Sequence, residues 1–210
     1  MGEYHKINTI FKRDDKTKKL LIEQYSQPEF EYLANNEFEW SEKIDGTNCR
    51  AYWNHEDETV QIKGRTDNAQ MPMPLIERLQ TVFDKEKLKS LYSDVSITFY
   101  GEGYGRKIQA IGSKYKADGV DFILFDVRVG RWWLERKSVD KIAKDLEIQS
   151  VPIIGKGTLS EAVAKVEKGF NSIFGDFMAE GMVLRPTVEL FARNGSRIIA
   201  KLKHRDFLSD

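Results

Sequence analysis

Apolar and polar residues alternate in short runs along this chain, with aromatic and β-branched side chains filling the apolar positions. The clearest runs are 37–43 (EFEWSEK), 49–54 (CRAYWN), 59–63 (TVQIK), 95–102 (VSITFYGE), 121–129 (DFILFDVRV), 181–185 (GMVLR) and 197–203 (RIIAKLK). Each is bounded by Gly, Asn or Asp nearby and predicts a strand, and NHEDE at 54–58 predicts a hairpin turn between two of them. Helical spacing appears over 74–91, which opens on a proline, and over 138–147, where Ser138 suits an N-cap. A third helix is expected over 158–168, because Thr158 and Glu161 have capping-box spacing and Gly169 is placed to end it. Strands and helices do not alternate strictly. That disfavours a doubly wound parallel sheet and predicts an α+β fold with largely antiparallel sheets.

The chain has 210 residues, 40% of them hydrophobic, which suits one domain spanning 1–210 with an ordinary core. Its 33 Lys and Arg balance 33 Asp and Glu, which argues against nucleic-acid binding by bulk charge and leaves room for a local basic groove. Residues 192–207 concentrate such charge: Arg193, Arg197, Lys201, Lys203 and Arg205 stand against Asp206 alone. The mixed run KRDDKTKK at 12–19 reads as a solvated loop. Cys49 is the sole cysteine, so no intrachain disulfide forms, and with only His55 nearby a catalytic thiol is not expected. No run is apolar enough to span a membrane and no secretory signal is visible, so a cytoplasmic, reducing setting is expected. Trp132 and Trp133 predict an edge strand covered by the next helix, with a partner surface as the alternative. No long apolar face is left over, and a monomer is expected.

The stretch SEKIDGTN (41–48) carries the chemical question. Lys43 between acids is either a solvated ion pair or a nucleophile. An amine attacks phosphorus only when unprotonated, and nearby cations with partial burial favour that form. Later stretches supply companions: Arg65 in KGRT, Glu102 between glycines in FYGEGYG, Phe125 in FILFDV, Glu180 and Arg185 in AEGMVLRP, and Lys201 with Lys203 on one face of IIAKLK. Taken singly, each also reads as core or as a wet strand edge. No bland reading explains the ordered set.

That set, KxDG, an arginine about twenty residues on, YGEG, FDV, EGxVxR and KxK, resembles the nucleotidyltransferase motifs of covalent ligases and mRNA capping enzymes. EKIDGTN, GEGYGRKIQ, AEGMVLRP followed by RNGSRIIAKLK, and GKG at 155–157 look more closely like the RNA-ligase-2 type of ATP-dependent RNA ligase, which includes phage and trypanosome RNA-editing enzymes. The resemblance runs from about 37 to 207. It implies a nucleotidyltransferase (adenylation) domain of two antiparallel sheets flanked by helices around an ATP cleft. It also implies three chemical steps: Lys43 takes AMP from ATP, AMP passes to a 5′-phosphate end, and a 3′-hydroxyl displaces it. By the same resemblance Glu42, Lys43, Ile44, Asn48, Arg65, Glu102, Phe125, Glu180, Val183, Lys201 and Lys203 bind the nucleotide, with Phe125 on adenine, Glu102 on ribose and both lysines on the α-phosphate. Asp45, Glu102 and Glu180 hold Mg²⁺ or Mn²⁺ through water, and Asn48, Arg65 and Arg185 meet RNA ends, including those of a nicked duplex. Family members commonly carry a further domain beyond the last lysine motif. The expectation is therefore that self-adenylylation and sealing of activated ends outlast sealing of ordinary 5′-phosphate ends. A GTP-dependent capping-type enzyme and a non-catalytic RNA-end-binding module are the alternatives.

Overall fold

The structure is a computed structural model and describes residues 2–208. In chain order it begins with strands β1 (Asn8–Thr9), β2 (Phe11–Arg13) and β3 (Leu20–Tyr25), helix α1 (Pro28–Tyr32), and strands β4 (Phe38–Glu42), β5 (Thr47–Asn54) and β6 (Thr59–Gly64). Next come α2 (Met73–Val82), α3 (Lys85–Leu91), β7 (Ile97–Gly105), α4 (Gly112–Tyr115), β8 (Val120–Val129) and β9 (Trp132–Trp133). The chain closes with α5 (Arg136–Asp145), β10 (Gln149–Ser150), β11 (Ile153–Gly157), α6 (Leu159–Lys168), β12 (Gly181–Pro186), β13 (Ala200–Lys203) and a 3-10 turn (His204–Asp206). The described residues divide into two compact units. The first joins the segment ending at His5 to Asp45–Val151, and the second joins Lys6–Ile44 to the segment starting at Pro152.

The first unit is built on a sheet of order β10-β8-β7-β5-β6, antiparallel except that β10 runs parallel to β8, with β9 added to β8. Period-two alternation sorts its side chains. Cys49, Ala51, Trp53, Phe99, Leu124 and Val127 face a core completed by Leu75, Leu79 and Val82 of α2 and Val139, Ile142 and Ala143 of α5. The opposite face carries Asn48 paired with Glu102, then Arg50, Tyr100 and Asp126 in one row. Between those rows β8 has a bulge: Tyr100 pairs with Asp126 but Gly101 pairs with Leu124, so Phe125 is the extra residue. A bulge turns two successive side chains toward one face.

The second unit has the sheet β1-β13-β12-β4-β11, antiparallel apart from the β1–β13 pair, and a separate β2–β3 ribbon. Phe38, Trp40, Met182, Leu184, Ala200 and Leu202 face a core shared with Phe30 of α1 and Leu159, Ala162 and Val166 of α6. The other face displays Ser41, Val183 and Lys201 in register, and Glu39 opposite Arg185.

Every strand expected from alternation is present, with ends shifted by a few residues, and the 54–58 turn joins β5 to β6. Residues 74–91 form two helices rather than one, because the Asp84 side chain accepts from the Lys87 N–H at 3.0 Å and starts α3 afresh. Helix α5 begins at Arg136, so Ser138 lies inside its first turn and does not cap it. The third helix begins and ends as its capping box and glycine predict. Strand β13 starts only at Ala200, since 187–199 makes a side hairpin bridged between Phe191 and Arg197. The elements missed, β1 to β3, α1, α4, β10 and β11, are short, and few turns of any period are visible in so few residues, whereas Trp132–Trp133 form the expected edge strand on β8. Trp132 is 66% exposed beneath the Arg131 guanidinium, so no helix covers it, while Trp133 packs on Tyr4 and Tyr100. Among the described residues, no helix is long and apolar enough to cross a membrane.

Two measurements check this packing. Replacing Thr158 with alanine removes the cap of α6 and is expected to lower unfolding free energy by about 1 kcal/mol; an unchanged denaturation midpoint contradicts the cap. Burial pushes the Cys49 thiol up to about 12, so a thiol reagent at pH 8 is expected to label the native protein far more slowly than the denatured chain. Equal rates would show that the thiol is open to solvent.

Candidate functional site

In the second unit the site grows from strand register. The Lys43 N–H donates to Gly181 O at 2.9 Å, carrying the β4–β12 ladder one residue past Glu42. Gly181 also pairs with Lys203 on β13, so Lys43 and Lys203 flank one glycine from either side. Gly181 has φ 154°, and a Cβ there would strike the Leu202 carbonyl, so only glycine lets the strands close at this point. Glu180, the residue before it, sits between the two amines. Lys43 Nζ donates to Glu180 Oε2 at 2.7 Å and Lys203 Nζ to Glu180 Oε1 at 2.6 Å. The three side chains are 21%, 10% and 18% exposed, so these charge-assisted bonds are largely shielded from water. Two cations on one carboxylate leave the cluster with a net positive charge. Lys201 and Val183 form the next row of the same face and Arg185 the row beyond, opposite Glu39.

Two residues expected to bind the nucleotide have buried side chains. Glu42 pairs with Met182, whose side chain belongs to the core, and its carboxylate is 1% exposed. Ser172 Oγ donates to it at 2.6 Å and the Ile173 N–H at 3.0 Å. Burial raises its pKa above the usual glutamate range, partly offset by those two donors. The Glu42 carboxylate therefore anchors the 170s loop, on the side of the sheet away from Lys43. Ile44 is 3% exposed and its side chain packs inside.

The first unit begins directly after, at Asp45, whose N–H donates to Tyr115 Oη at 3.4 Å. Gly46 is needed for space and not for a left-handed turn, since a Cβ would strike the Gly103 carbonyl and crowd Glu102. Asn48 and Glu102 are direct cross-strand partners, and Arg65 follows the last β6 residue as an exposed side chain. The glycines around Glu102 serve packing: side chains there would meet Phe122 at Gly101 and Leu75 at Gly103. Phe125 is half-buried at the bulge, with the Tyr4 ring edge-on at 4.9 Å. Tyr4 Oη donates to the buried Asp126 carboxylate at 2.9 Å. No periodicity marks Tyr4 or Ser172, whose partners lie more than a hundred residues away.

Two cations of the segment at 192–207 are held by acids within the fold, and its one acid is held by a cation from outside. Arg197 is buried in a bidentate pair with Glu189 at 2.6 and 2.7 Å, Lys203 holds Glu180, and Asp206 takes Arg13 at 2.5 Å. Among the described residues no cluster of three or more His, Cys, Asp or Glu could hold a metal ion. A hydrated Mg²⁺ needs few protein carboxylates, because water and ligand oxygens complete its shell.

Known proteins bear on this arrangement. The family model described as RNA ligase matches residues 36–203. No curated protein matches the chain. Among solved structures, a lysine-to-alanine variant of Naegleria gruberi RNA ligase with ATP and Mn aligns with TM-score 0.65 at 22% identity, covering 84% of this chain and 52% of that one. Another lysine-to-alanine variant with ATP and Mn gives TM-score 0.67 at 21% identity, over 96% and 63%. The same organism's ligase with PPi gives 0.65 at 20%, over 95% and 61%. The chain thus spans roughly half to two thirds of these proteins, and the likeness carries the mixed fold of antiparallel sheets and helices expected from the sequence. With the family model spanning its lysine, glutamate and terminal lysine motifs, the chain belongs to the RNA ligase family.

Proposed function

We propose that this chain is an ATP-dependent RNA ligase that works through a covalent bond between Lys43 and AMP. The observation that carries the reading is the shared carboxylate: Glu180 holds Lys43 and Lys203 at 2.7 and 2.6 Å on one sheet face. An isolated ion pair needs one lysine and one acid. Here a second lysine is brought to the same carboxylate, with a third, Lys201, on the same face, and that suits a site for anionic phosphate.

While Lys43 donates to Glu180 its lone pair is unavailable. Attack requires loss of that proton, and Glu180 Oε2 is the acceptor already within reach. The neutral amine then attacks the α-phosphorus of ATP, a P–N bond forms, and the α–β oxygen bond breaks to release pyrophosphate. Lys203 and Lys201 meet the charge that develops on the α-phosphate oxygens. In the second step an oxygen of an RNA 5′-phosphate attacks the same phosphorus, the P–N bond breaks, and Nζ regains a proton. In the third a 3′-hydroxyl attacks the 5′-phosphate and AMP leaves with the electron pair.

The first unit supplies the nucleoside contacts in this proposal. Glu102, beside Asn48 on the sheet, accepts from ribose hydroxyls, and Phe125, thrown out by its bulge, offers a ring to adenine. Arg65, Asn48 and Arg185 take phosphates of the RNA ends. Glu180 in the second unit, and separately Asp45 and Glu102 in the first, are each a carboxylate that suits a hydrated Mg²⁺ or Mn²⁺. That ion would neutralise phosphate charge. The Naegleria structures with ATP and Mn support this choice of nucleotide and metal.

Incubation with α-labelled ATP and Mg²⁺ is expected to leave label on the protein, and labelled GTP is not. Lys43→Ala is expected to abolish the adduct, and Lys203→Ala to slow its formation about a hundredfold or more. An adduct that survives Lys43→Ala refutes the assignment, and labelling by GTP in preference to ATP redirects it to capping chemistry. Glu180→Gln keeps the shape but not the charge or the proton acceptor, and is expected to slow adduct formation about a hundredfold. Adduct formation at the native rate in that variant removes Glu180 from the chemistry.

A further inference from the structure

Arg65 stands alone on a short loop after β6, exposed and without a structural role of its own. What holds that loop comes from beneath it. Arg50, on β5, has a side chain with 0% exposure. Its Nε donates to Gly64 O at 3.0 Å and its Nη2 to Asp67 Oδ1 at 2.5 Å. Lys63 Nζ reaches the same Asp67 oxygen at 3.0 Å. The Ala69 N–H closes the turn on Thr66 O at 3.2 Å. The loop is thus fastened immediately before Arg65 and two residues after it, and one buried guanidinium makes both fastenings.

Burying a guanidinium is costly unless partners compensate. An apolar residue would fill the space without that cost, so packing does not explain an arginine at this position. What an arginine offers is a rigid fork able to grip two points of one segment at fixed separation, which a lysine cannot do. Arg50 also lies two residues from Asn48 on the same strand, hence on the same sheet face as Asn48 and its partner Glu102. The loop bearing Arg65 is therefore fastened to the face to which nucleotide and RNA-end contacts were assigned.

We propose that Arg50 and Asp67 are positioning residues: together they clamp the loop after β6 so that Arg65 is presented at a fixed place for an RNA phosphate. This rests on the ligase reading above. A displacement of about 1 Å at such a contact costs on the order of a hundredfold in rate, so loosening the loop should tell on sealing and not on the reaction of Lys43 with ATP.

Asp67 is 59% exposed and belongs to no core, which makes it the safer position to change. The full chain would be compared as wild type, Asp67→Ala, Asp67→Asn, Arg65→Ala and the Arg65→Ala/Asp67→Ala double variant. Protein–AMP formation reports the first step. Joining of a pre-adenylylated RNA strand without ATP reports the last. Asp67→Ala is expected to keep adduct formation within about twofold while slowing sealing at least tenfold. Asp67→Asn, which keeps an acceptor oxygen, is expected to recover most of that loss. The double variant is expected to seal no more slowly than Arg65→Ala, because the clamp acts only through Arg65. Losses that multiply in the double variant, or native sealing by Asp67→Ala, overturn the proposal. Trypsin cleavage after Arg65 reads the clamp without any enzymology and is expected to accelerate in Asp67→Ala; an unchanged rate overturns the clamp. A wild-type chain that makes no adduct and seals nothing fails the ligase reading, and the trypsin result still decides whether the loop is clamped.

Discussion

One carboxylate between two amines organises the second unit's chemistry. Glu180 is fixed by its place just before β12, and Lys43 and Lys203 reach it because β4 and β13 flank that strand in register. A slip of one residue in either pairing would turn a lysine to the core side, where Leu202 and Trp40 now pack. The hydrophobic pattern that buries those residues is therefore also what aims the lysines. Gly181 completes the constraint, since any side chain there would force the strands apart where the amines converge.

The same economy appears in the first unit. The face of its sheet opposite the core carries Asn48 and Glu102 as a direct pair, and a single bulge delivers Phe125 and Asp126 to that face together. Tyr4 then fixes both, by its ring against Phe125 and its hydroxyl on Asp126. Arg50 does for the loop after β6 what Tyr4 does for the bulge, tying an irregular segment to the regular sheet. Irregular backbone near a site is useful only when something rigid holds it.

Much of this was legible in the residues and some was not, for physical reasons. Strand alternation and the Thr158 capping box depend on neighbours close in sequence, so the long strands and α6 could be read directly. Lys201 and Lys203 on one face followed from the period of a strand alone. The split at Asp84 was hidden because an aspartate that caps a helix looks the same as one on its surface. The surroundings of the Glu42 carboxylate could not be read from adjacency: being next to Lys43 turns that side chain to the opposite face, where Ser172 and Ile173 claim it. The partners of the charges at 192–207 were hidden for the reverse reason, since Glu180, Glu189 and Arg13, which pair with Lys203, Arg197 and Asp206, all lie outside the segment. Tyr4, Arg50 and Ser172 act through partners that no local pattern connects to them.

The central claim is that one particular amine becomes bonded to a nucleotide. Protein incubated with ATP and Mg²⁺, digested and mapped by mass spectrometry under conditions that preserve the P–N bond, locates that bond directly. The account predicts AMP on the peptide containing Lys43 and on no other. A nucleotide found on a different lysine, or none on any peptide while RNA ends are still joined, would contradict it.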